Sequence, residues 1–231
     1  MNKEALELLV CCAADLGVKL TSKEIALFNG LAEELKKWNR KINLTAIKDD
    51  RDIVVKHFAD SLSLLGRVKT PGTLLDIGSG GGFPAIPLKI MLPHLSVVSV
   101  DAVEKKILFQ RHAARFLKLQ DFSALHRRAE ELAKSHAAAF DSVVSRAFSD
   151  LPFFVSLALP LLKNGGQIIA MKGRDGREEA DAAKKQLDNL CAKVVDCIHL
   201  KLPGSGADRF LVVVEKIGEK YDGKNIQQSV F

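Results

Sequence analysis

A glycine-rich turn at residues 74–84 (LLDIGSGGGFP) is the segment of this sequence best suited to hold a ligand. It follows a short apolar run and precedes a helical stretch, and Pro84 suits a first helical turn, where a backbone N–H is not needed. Glycines permit positive φ angles, and they let a backbone approach a ligand with its N–H groups and the helix N-terminus directed at it. The segment therefore predicts a strand–turn–helix binding loop.

The glycine spacing is compatible with two cofactor classes. Gly80, Gly82 and Ala85 satisfy the G-x-G-x-x-G/A spacing of dinucleotide enzymes. The acid and the glycines also fit the D-x-G-x-G-x-G loop of methyltransferases, with Asp76, Gly78, Gly80 and Gly82 as candidate cofactor-binding residues. Asp76 would repel a pyrophosphate, but through water it could meet the amino group of a methionine moiety. We therefore expect S-adenosyl-L-methionine as the cofactor, with an NAD-dependent oxidoreductase as the alternative.

Asp101 ends the next apolar run, Val97–Val100, and lies 19 residues beyond Gly82. A carboxylate at the end of the second strand can accept hydrogen bonds from both ribose hydroxyls of an adenosine. It could also cap the helix that begins near Val103, and the two roles are compatible. We assign Asp101 to the cofactor site, although a ribose contact alone does not distinguish the two cofactor classes.

The segment after the following helix supplies candidates for the rim of the site. A strand that ends near His126 would place Ala129 and Glu130 where the adenine base lies. Arg127 and Arg128 are either a solvated pair or contacts for phosphate, and we include both as candidate RNA-binding residues.

The fourth apolar run ends in Ser145-Arg146-Ala147-Phe148. In methyltransferases with such a binding loop, the end of the fourth strand is the catalytic corner. The [DNS]-P-P-[YFW] motif of amino-methylating enzymes is absent there, and none of the four cysteines follows proline or lies at the corner. Guanine N7 fits as the nucleophile because its lone pair is free. Transfer to it is an in-line displacement that needs orientation and proximity but no general base. Arg146 is the catalytic candidate, as a contact for cofactor, phosphate or guanine; the alternative is a strand-end salt bridge.

The elements that must position these residues fall into two zones. Residues 1–70 predict a helical N-terminal extension, with a second helix capped by Thr21 or Ser22 with Glu24 in its first turn, and a short third helix over Ile53–Leu65. From residue 71 to 216, short β-branched runs alternate with helical stretches, which indicates βαβ units and a mostly parallel sheet. The tail, 217–231, is polar and shows no clear periodicity.

The end of the second zone departs from this alternation. Val194–Leu202 and Phe210–Glu215 predict two strands, and the connecting Pro203–Gly206 leaves no room for a helix, so we expect an antiparallel hairpin. A mostly parallel seven-stranded sheet with a terminal antiparallel hairpin is the Rossmann-like α/β fold of class I methyltransferases. We expect one structural domain overall, with the helical extension added to this core.

Composition narrows the classes of function. Apolar residues make up 47% and charged residues 27%, and a net charge of +6 weakly favours a polyanionic partner. No apolar run approaches the roughly 20 residues of a membrane span, and we find no signal peptide. The four cysteines form no C-x-x-C pair, so we expect no metal site, reduced thiols and a cytoplasmic location.

Several motifs together resemble one known family. The chain is similar to the bacterial 16S rRNA guanine-N7 methyltransferases, also called the glucose-inhibited division protein B family, from about Trp38 to Lys216. The motifs that carry the resemblance are WN at 38–39, NLTA at 43–46, HFADSL at 57–62, the turn and helix start at 78–88, SRAF at 145–148 and MKG at 171–173.

This resemblance implies methylation of N7 on a guanine in the 530 loop of 16S rRNA, with S-adenosyl-L-methionine as cofactor. The expected partner is 16S rRNA or a precursor of the small ribosomal subunit, and we expect a monomer. The family's cofactor contacts fall on Gly78, Phe83, Ala129, Glu130 and Arg146. The family's RNA-facing residues correspond to Arg146 and Lys172, to which we add Arg174 as a neighbouring candidate.

Two departures and one alternative accompany the resemblance. Many relatives have glycine at the position of Ala85, and many end in a basic, proline-containing tail that this chain lacks. His57 and Asp60 are expected to pack the N-terminal segment over the core, because transfer to N7 needs no base. The alternative to an enzyme is a non-catalytic RNA-binding protein that retains the fold.

Overall fold

Seven strands form a single sheet in the computed structural model, which describes residues 1–218. In chain order the strands are β1 (Thr73–Ile77), β2 (Ser96–Asp101), β3 (Phe122–His126), β4 (Phe140–Ser145), β5 (Leu162–Lys172), β6 (Ala192–Lys201) and β7 (Asp208–Lys216). The spatial order is β3-β2-β1-β4-β5-β7-β6, with β1 to β5 parallel and β7 antiparallel to both β5 and β6. The predicted Rossmann-like sheet with a terminal antiparallel hairpin is confirmed.

Helices cover both faces of this sheet. The longer ones are α1 (Lys3–Asp15), α2 (Ser22–Ile42), α5 (Ala85–Met91), α6 (Glu104–Phe116), α8 (Leu151–Ala158) and α9 (Gly176–Asn189). The shorter ones are α3 (Asp50–Ile53), α4 (Asp60–Leu62), α7 (Ala133–His136) and 3₁₀ turns at Ala129–Glu131 and Leu159–Leu161. The 217–231 tail predicted from the sequence lies outside the described residues from position 219 onward.

The start of α2 follows from local chemistry. Thr21 is the N-cap, its side chain accepts a hydrogen bond from the Glu24 backbone N–H, and the Glu24 carboxylate accepts one from the Thr21 N–H at 2.6 Å. This reciprocal capping box satisfies two N–H groups that a helix start leaves without partners. Of the two caps expected from the sequence, Thr21 is the one used.

The third helical segment differs from its predicted form. The sequence predicts one short helix over Ile53–Leu65, whereas the chain forms α3, a π-helical turn at Val54–Ala59, and α4. A π turn contains one more residue than an α turn, so it changes which side chains share a face. Apolar spacing alone does not distinguish the two, because almost every side chain from Ile53 to Leu64 is buried.

One hydrophobic core joins the N-terminal helices to the sheet domain. It includes Phe28 and Leu31 of α2, Phe58 of the π turn, Phe83 of the glycine turn and Phe109 of α6, all at most 2% exposed. At about 25 cal/mol per Å² of buried apolar surface, side chains of this size each contribute roughly 1.5–3 kcal/mol. The extension is therefore packed into the same core as the helices beside the glycine turn.

Candidate functional site

The glycine turn leaves β1 at the carboxyl edge of the sheet. Gly78 has a φ of +71°, and a Cβ there would lie 2.7 Å from the Cβ of Ala147, so the position needs glycine both for conformation and for close approach. Gly80 has a φ of +58° and faces open space, with no atom within 4 Å of a built Cβ. The turn therefore touches the loop after β4 on one side and is open on the other.

Asp101 joins the glycine turn to the start of α6. One carboxylate oxygen, Oδ2, accepts a hydrogen bond from the Gly80 N–H at 2.8 Å, and Oδ1 accepts one from the Val103 N–H at 2.8 Å. Lys106 Nζ lies 3.6 Å from Oδ2. The structure thus shows the capping contact near Val103, and it also places the carboxylate in the wall of the candidate cofactor cleft.

Gln110 of α6 is a residue that sequence reasoning missed. It is fully buried, and its side-chain amide donates to Ser79 Oγ and to the Gly80 carbonyl, both at 2.8 Å, while Ser99 donates to its Oε1. These contacts hold the glycine turn in place against α6. The available signal was a glutamine three residues after Ile107 on an otherwise apolar helical face.

Asp76 has an unusual environment below the turn. It is fully buried, and Oδ2 accepts a hydrogen bond from the Ala85 N–H at 3.1 Å, whereas Oδ1 has no partner among residues 1–218. Burial raises the pKa of Asp76 to about 7. A buried acceptor without a donor costs free energy, so this oxygen is suited to a donor supplied by a ligand.

A cleft of about 180 Å³ opens at the carboxyl ends of β1 and β2. The structure brings together in it six of the residues expected to bind cofactor or RNA: Gly78, Asp101, Arg127, Arg128, Ala129 and Glu130. Ile77, Val100, Ala102, Phe148 and Leu157 complete the lining. The Asp101 carboxylate, the backbone of the turns at Gly78 and Ala129, and apolar walls are suitable surroundings for an adenosine.

Two residues expected to contact the cofactor or RNA, Phe83 and Lys172, have side chains buried outside this cleft. The ring of Phe83 is 2% exposed and stacks on the imidazole of His57, with centroids 4.2 Å apart, so only its backbone belongs to the turn. The expectation that Lys172 faces RNA does not match its position. Its side chain is 5% exposed, and Nζ donates to the carbonyls of Phe148 and Ser149 at 3.0 and 2.8 Å.

Burial of the Lys172 ammonium is tolerated because it also forms an ion pair with a carboxylate. Glu179 of α9 lies 2.5 Å from Nζ, so the charge is paired and the remaining donors are used by the loop after β4. Arg174, two residues further on, does face solvent: its side chain is 83% exposed, and its Nε lies 3.1 Å from Asp175. Of the predicted pair, Arg174 alone has the exposure that a phosphate contact requires.

Arg146 is held by the segment that contains the π turn. Its Nη1 donates to the Lys56 carbonyl at 2.9 Å and to Asp60 Oδ2 at 3.2 Å, and Nη2 lies 3.5 Å from His57 Nδ1. The strand-end salt bridge considered from the sequence is therefore present. The Arg146 side chain is 27% exposed, so these partners do not enclose it completely.

His57 and Asp60 connect the N-terminal segment to the corner, as expected of a packing pair. Asp60 is 1% exposed and lies between two cations, Arg146 and Arg209, the second at 2.6 Å. Burial, together with the charge of Arg146, lowers the pKa of His57 to about 3. Its imidazole is therefore neutral at physiological pH, where it would be a poor base.

Metal ligands, membrane-spanning helices and disulfides are three further features on which the described residues bear. Among residues 1–218, no group of three or more His, Cys, Asp or Glu side chains is arranged to hold a metal ion. Within the same residues, no helix has both the length and the hydropathy needed to cross a membrane. All four cysteines are free thiols.

Fold and site together define the class of this protein as a Rossmann-like methyltransferase. The family described as rRNA small subunit methyltransferase G (GidB) matches residues 24–205, and the chain belongs to that family. The resemblance found in the sequence is thereby confirmed.

Individual relatives agree with this membership. The chain is 60% identical over 219 residues to the ribosomal RNA small subunit methyltransferase G of Geotalea uraniireducens, covering 95% of this chain and 100% of the relative. It is 39% identical over 225 residues to the protein of the same name from Acetivibrio thermocellus, covering 95% and 93%.

Solved structures share the fold at low identity. A Methanococcus maripaludis protein described as an S-adenosyl-L-methionine-dependent methyltransferase aligns with a TM-score of 0.57 at 16% identity, covering 82% of this chain and 93% of that one. The M. jannaschii TYW2 structure in complex with AdoMet aligns with a TM-score of 0.54 at 15% identity, covering 68% and 77%.

Proposed function

We propose that this protein transfers a methyl group from S-adenosyl-L-methionine to N7 of a guanine in the 530 loop of 16S rRNA. The observation that carries the proposal is the cleft at the carboxyl edge of the sheet, where Asp101, the glycine turn and the Ala129–Glu130 rim meet. A relative 60% identical to this chain is named as a ribosomal RNA small subunit methyltransferase.

The chain's own residues fit that cofactor at three points. Asp101 holds a carboxylate at the edge of β2, where ribose hydroxyls can donate to it. Ala129 and Glu130 edge an apolar recess suited to adenine. The orphan Oδ1 of Asp76 is a buried acceptor that suits a nearby ammonium donor, directly or through water. A pyrophosphate would meet this acid unfavourably, which argues against a dinucleotide.

The choice of guanine N7 rests on the residues at the corner, which include a partly exposed arginine but no suitable general base. When bound, the cofactor supplies an electrophilic methyl group, and an N7 lone pair can receive it without losing a proton. Arg146 lies at the corner with its side chain partly exposed, where it can orient a guanine or a flanking phosphate. Neither neighbour of Arg146 is suited to general-base work, because His57 has a pKa of about 3 and Asp60 is engaged by two cations.

The proposal includes the setting of the reaction. Arg127, Arg128 and Arg174 are exposed cations that can contact the phosphates of 16S rRNA or of a small-subunit precursor. We take the active form to be a monomer in the cytoplasm, where ribosomal precursors occur and where thiols stay reduced. Size-exclusion chromatography with light scattering tests the monomer.

One experiment tests the reaction and its position. Small ribosomal subunits and naked 16S rRNA, both lacking the modification, are incubated with the protein and methyl-labelled S-adenosyl-L-methionine, then digested and analysed by mass spectrometry. The expected product is 7-methylguanosine in a fragment of the 530 loop. Label on another nucleotide would overturn the specificity. Tight RNA binding without transfer would favour a non-catalytic RNA-binding protein, and binding of NAD in place of the sulfonium compound would favour an oxidoreductase.

A further inference from the structure

A basic cleft at the carboxyl end of α2 lies outside the cofactor site. It has a volume of about 350 Å³ and is lined by three cations and two amides: Lys36, Asn39, Arg40, Asn43 and Lys48. Lys36 is paired with Asp50 at 2.5 Å, and the N-cap Asp49 follows Lys48 directly. Among residues 1–218, no carboxylate lies within ion-pair distance of Arg40 or Lys48, which are both exposed. The cleft therefore carries an excess of positive charge.

The wall of this cleft is fixed in place before any ligand arrives. Asn39 is 7% exposed, its amide donates to the Thr45 carbonyl at 2.9 Å, and its Oδ1 accepts from the Thr45 N–H at 2.9 Å. Asn43 ends α2 in the left-handed conformation, with a φ of +49°. The loop that carries Lys48 is thus ordered by partly buried hydrogen bonds, which reduces the entropy lost when a ligand binds.

The same loop leads by direct contacts to the catalytic corner. Thr45 Oγ1 lies 3.2 Å from His57 Nε2, and His57 Nδ1 lies 3.5 Å from Arg146 Nη2. Three successive contacts, from Asn39 through Thr45 and His57, therefore connect the wall of the basic cleft to the guanidinium of Arg146. The cleft and the corner are therefore connected through the segment that follows α2.

We propose that the cleft formed by Lys36, Asn39, Arg40, Asn43 and Lys48 binds the phosphodiester backbone of the RNA strand that flanks the target nucleotide. Cations without a carboxylate partner and amide N–H groups suit a phosphate, whose oxygens accept from both. The inference rests on the proposed function for the identity of the RNA, but the binding itself is measurable without methyl transfer.

A second basic cleft supplies a matched control. It has a volume of about 450 Å³ and includes Arg111, Arg115 and Lys118 in its lining. It lies where α6 ends and β3 begins, which is the amino edge of the parallel strands and the edge opposite the site. Arg115 and Lys118 are exposed, like Arg40 and Lys48, so glutamine at either pair removes two positive charges.

The experiment compares the double variants R40Q/K48Q and R115Q/K118Q with the parent protein. Binding to a fluorescent RNA of the 530 loop is measured from 50 to 300 mM salt, alongside the steady-state kinetics of methylation. For R40Q/K48Q we expect the Kd and KM for RNA to rise about tenfold and the salt slope to fall by about 1.4, since each lost single-strand phosphate contact removes about 0.7. The kcat and the cofactor Kd should not change.

Two sets of variants separate the effect of charge from the effect of position. R40K/K48R should bind RNA as the parent does, and R115Q/K118Q should change the RNA Kd less than threefold. Equal effects of the two glutamine pairs would mean that general charge, not this cleft, sets affinity, and the inference would be overturned. Parent-like binding by R40Q/K48Q would overturn it as well. If the parent methylates no rRNA, the proposed function fails, and the salt slopes still decide whether the cleft binds RNA.

Discussion

Replacing Lys172 with methionine distinguishes a buried structural ammonium from an RNA contact. Nζ lies 3.0 Å from the Phe148 carbonyl, 2.8 Å from the Ser149 carbonyl and 2.5 Å from Glu179 Oε2. Methionine keeps most of the length of the side chain but removes its charge and all its donors. The substitution therefore leaves the loop after β4 without its anchor while exposing little new surface.

The size of the effect follows from these three contacts. Hydrogen bonds from a charged donor contribute about 1.5–3 kcal/mol each, and removal of one partner from a buried ion pair costs roughly 3–5 kcal/mol. The Glu179 side chain is 37% exposed and can turn to water, so the lower part of that range applies. We expect the free energy of unfolding to fall by about 3 kcal/mol, which corresponds to roughly 6–12 °C in Tm for a chain of this size.

The assay combines thermal unfolding with RNA binding over a range of salt concentrations. Arg174→Met is the control, because its side chain is 83% exposed and its loss should change stability by no more than about 0.5 kcal/mol. Lys172→Met should destabilise the fold and leave the salt slope of binding unchanged. An unchanged Tm together with a slope reduced by about 0.7 would show that the ammonium contacts a phosphate, and would refute this reasoning.

Three further predictions concern the cleft and its surroundings. Asp101→Asn should weaken cofactor binding by about 1–3 kcal/mol in calorimetry, and an unchanged Kd would exclude a ribose contact. The pKa of His57 is lowered to about 3, so below about pH 6.5 the unfolded chain binds a proton at this residue while the folded chain does not. The free energy of unfolding of the wild-type protein should therefore drop by a few kcal/mol from pH 6.5 toward 3, relative to His57→Gln. Parallel pH profiles of the two proteins in denaturant titrations would contradict this. The pKa of Asp76 is raised to about 7, so its contribution to stability is lost as the pH rises from about 4 through 7; Asp76→Asn should stabilise the cofactor-free protein more at pH 8 than at pH 5, and an equal gain at both would count against the raised value.

The parts of the fold predicted from sequence are those that depend on local pattern. The capping box at Thr21 and Glu24, the glycine turn and the final hairpin are each specified by residues close together in the chain. The position of Asp101 at the cleft also followed, because the carboxyl ends of neighbouring parallel strands must meet at one edge.

The parts that were missed depend on contacts between distant residues. Lys172 looked like a surface cation, but Glu179 and the loop after β4 bury it, and Phe148 is 24 positions away in the chain. The ring of Phe83 is turned into the core by His57 and Phe58. Gln110 bonds to residues 30 and 31 positions away, which no spacing rule connects to it.

The corner around Arg146 is assembled from three separate parts of the chain. The carboxylate of Asp60, from the segment after α2, lies between Arg146 after β4 and Arg209 of β7. The Asp60 carboxylate is thus shared by two guanidinium groups, and the Arg146 side chain remains 27% exposed. Without Asp60 the two guanidinium groups would repel each other in a poorly solvated place. The helical extension therefore contributes Asp60 to the corner, and the family match, residues 24–205, includes this segment.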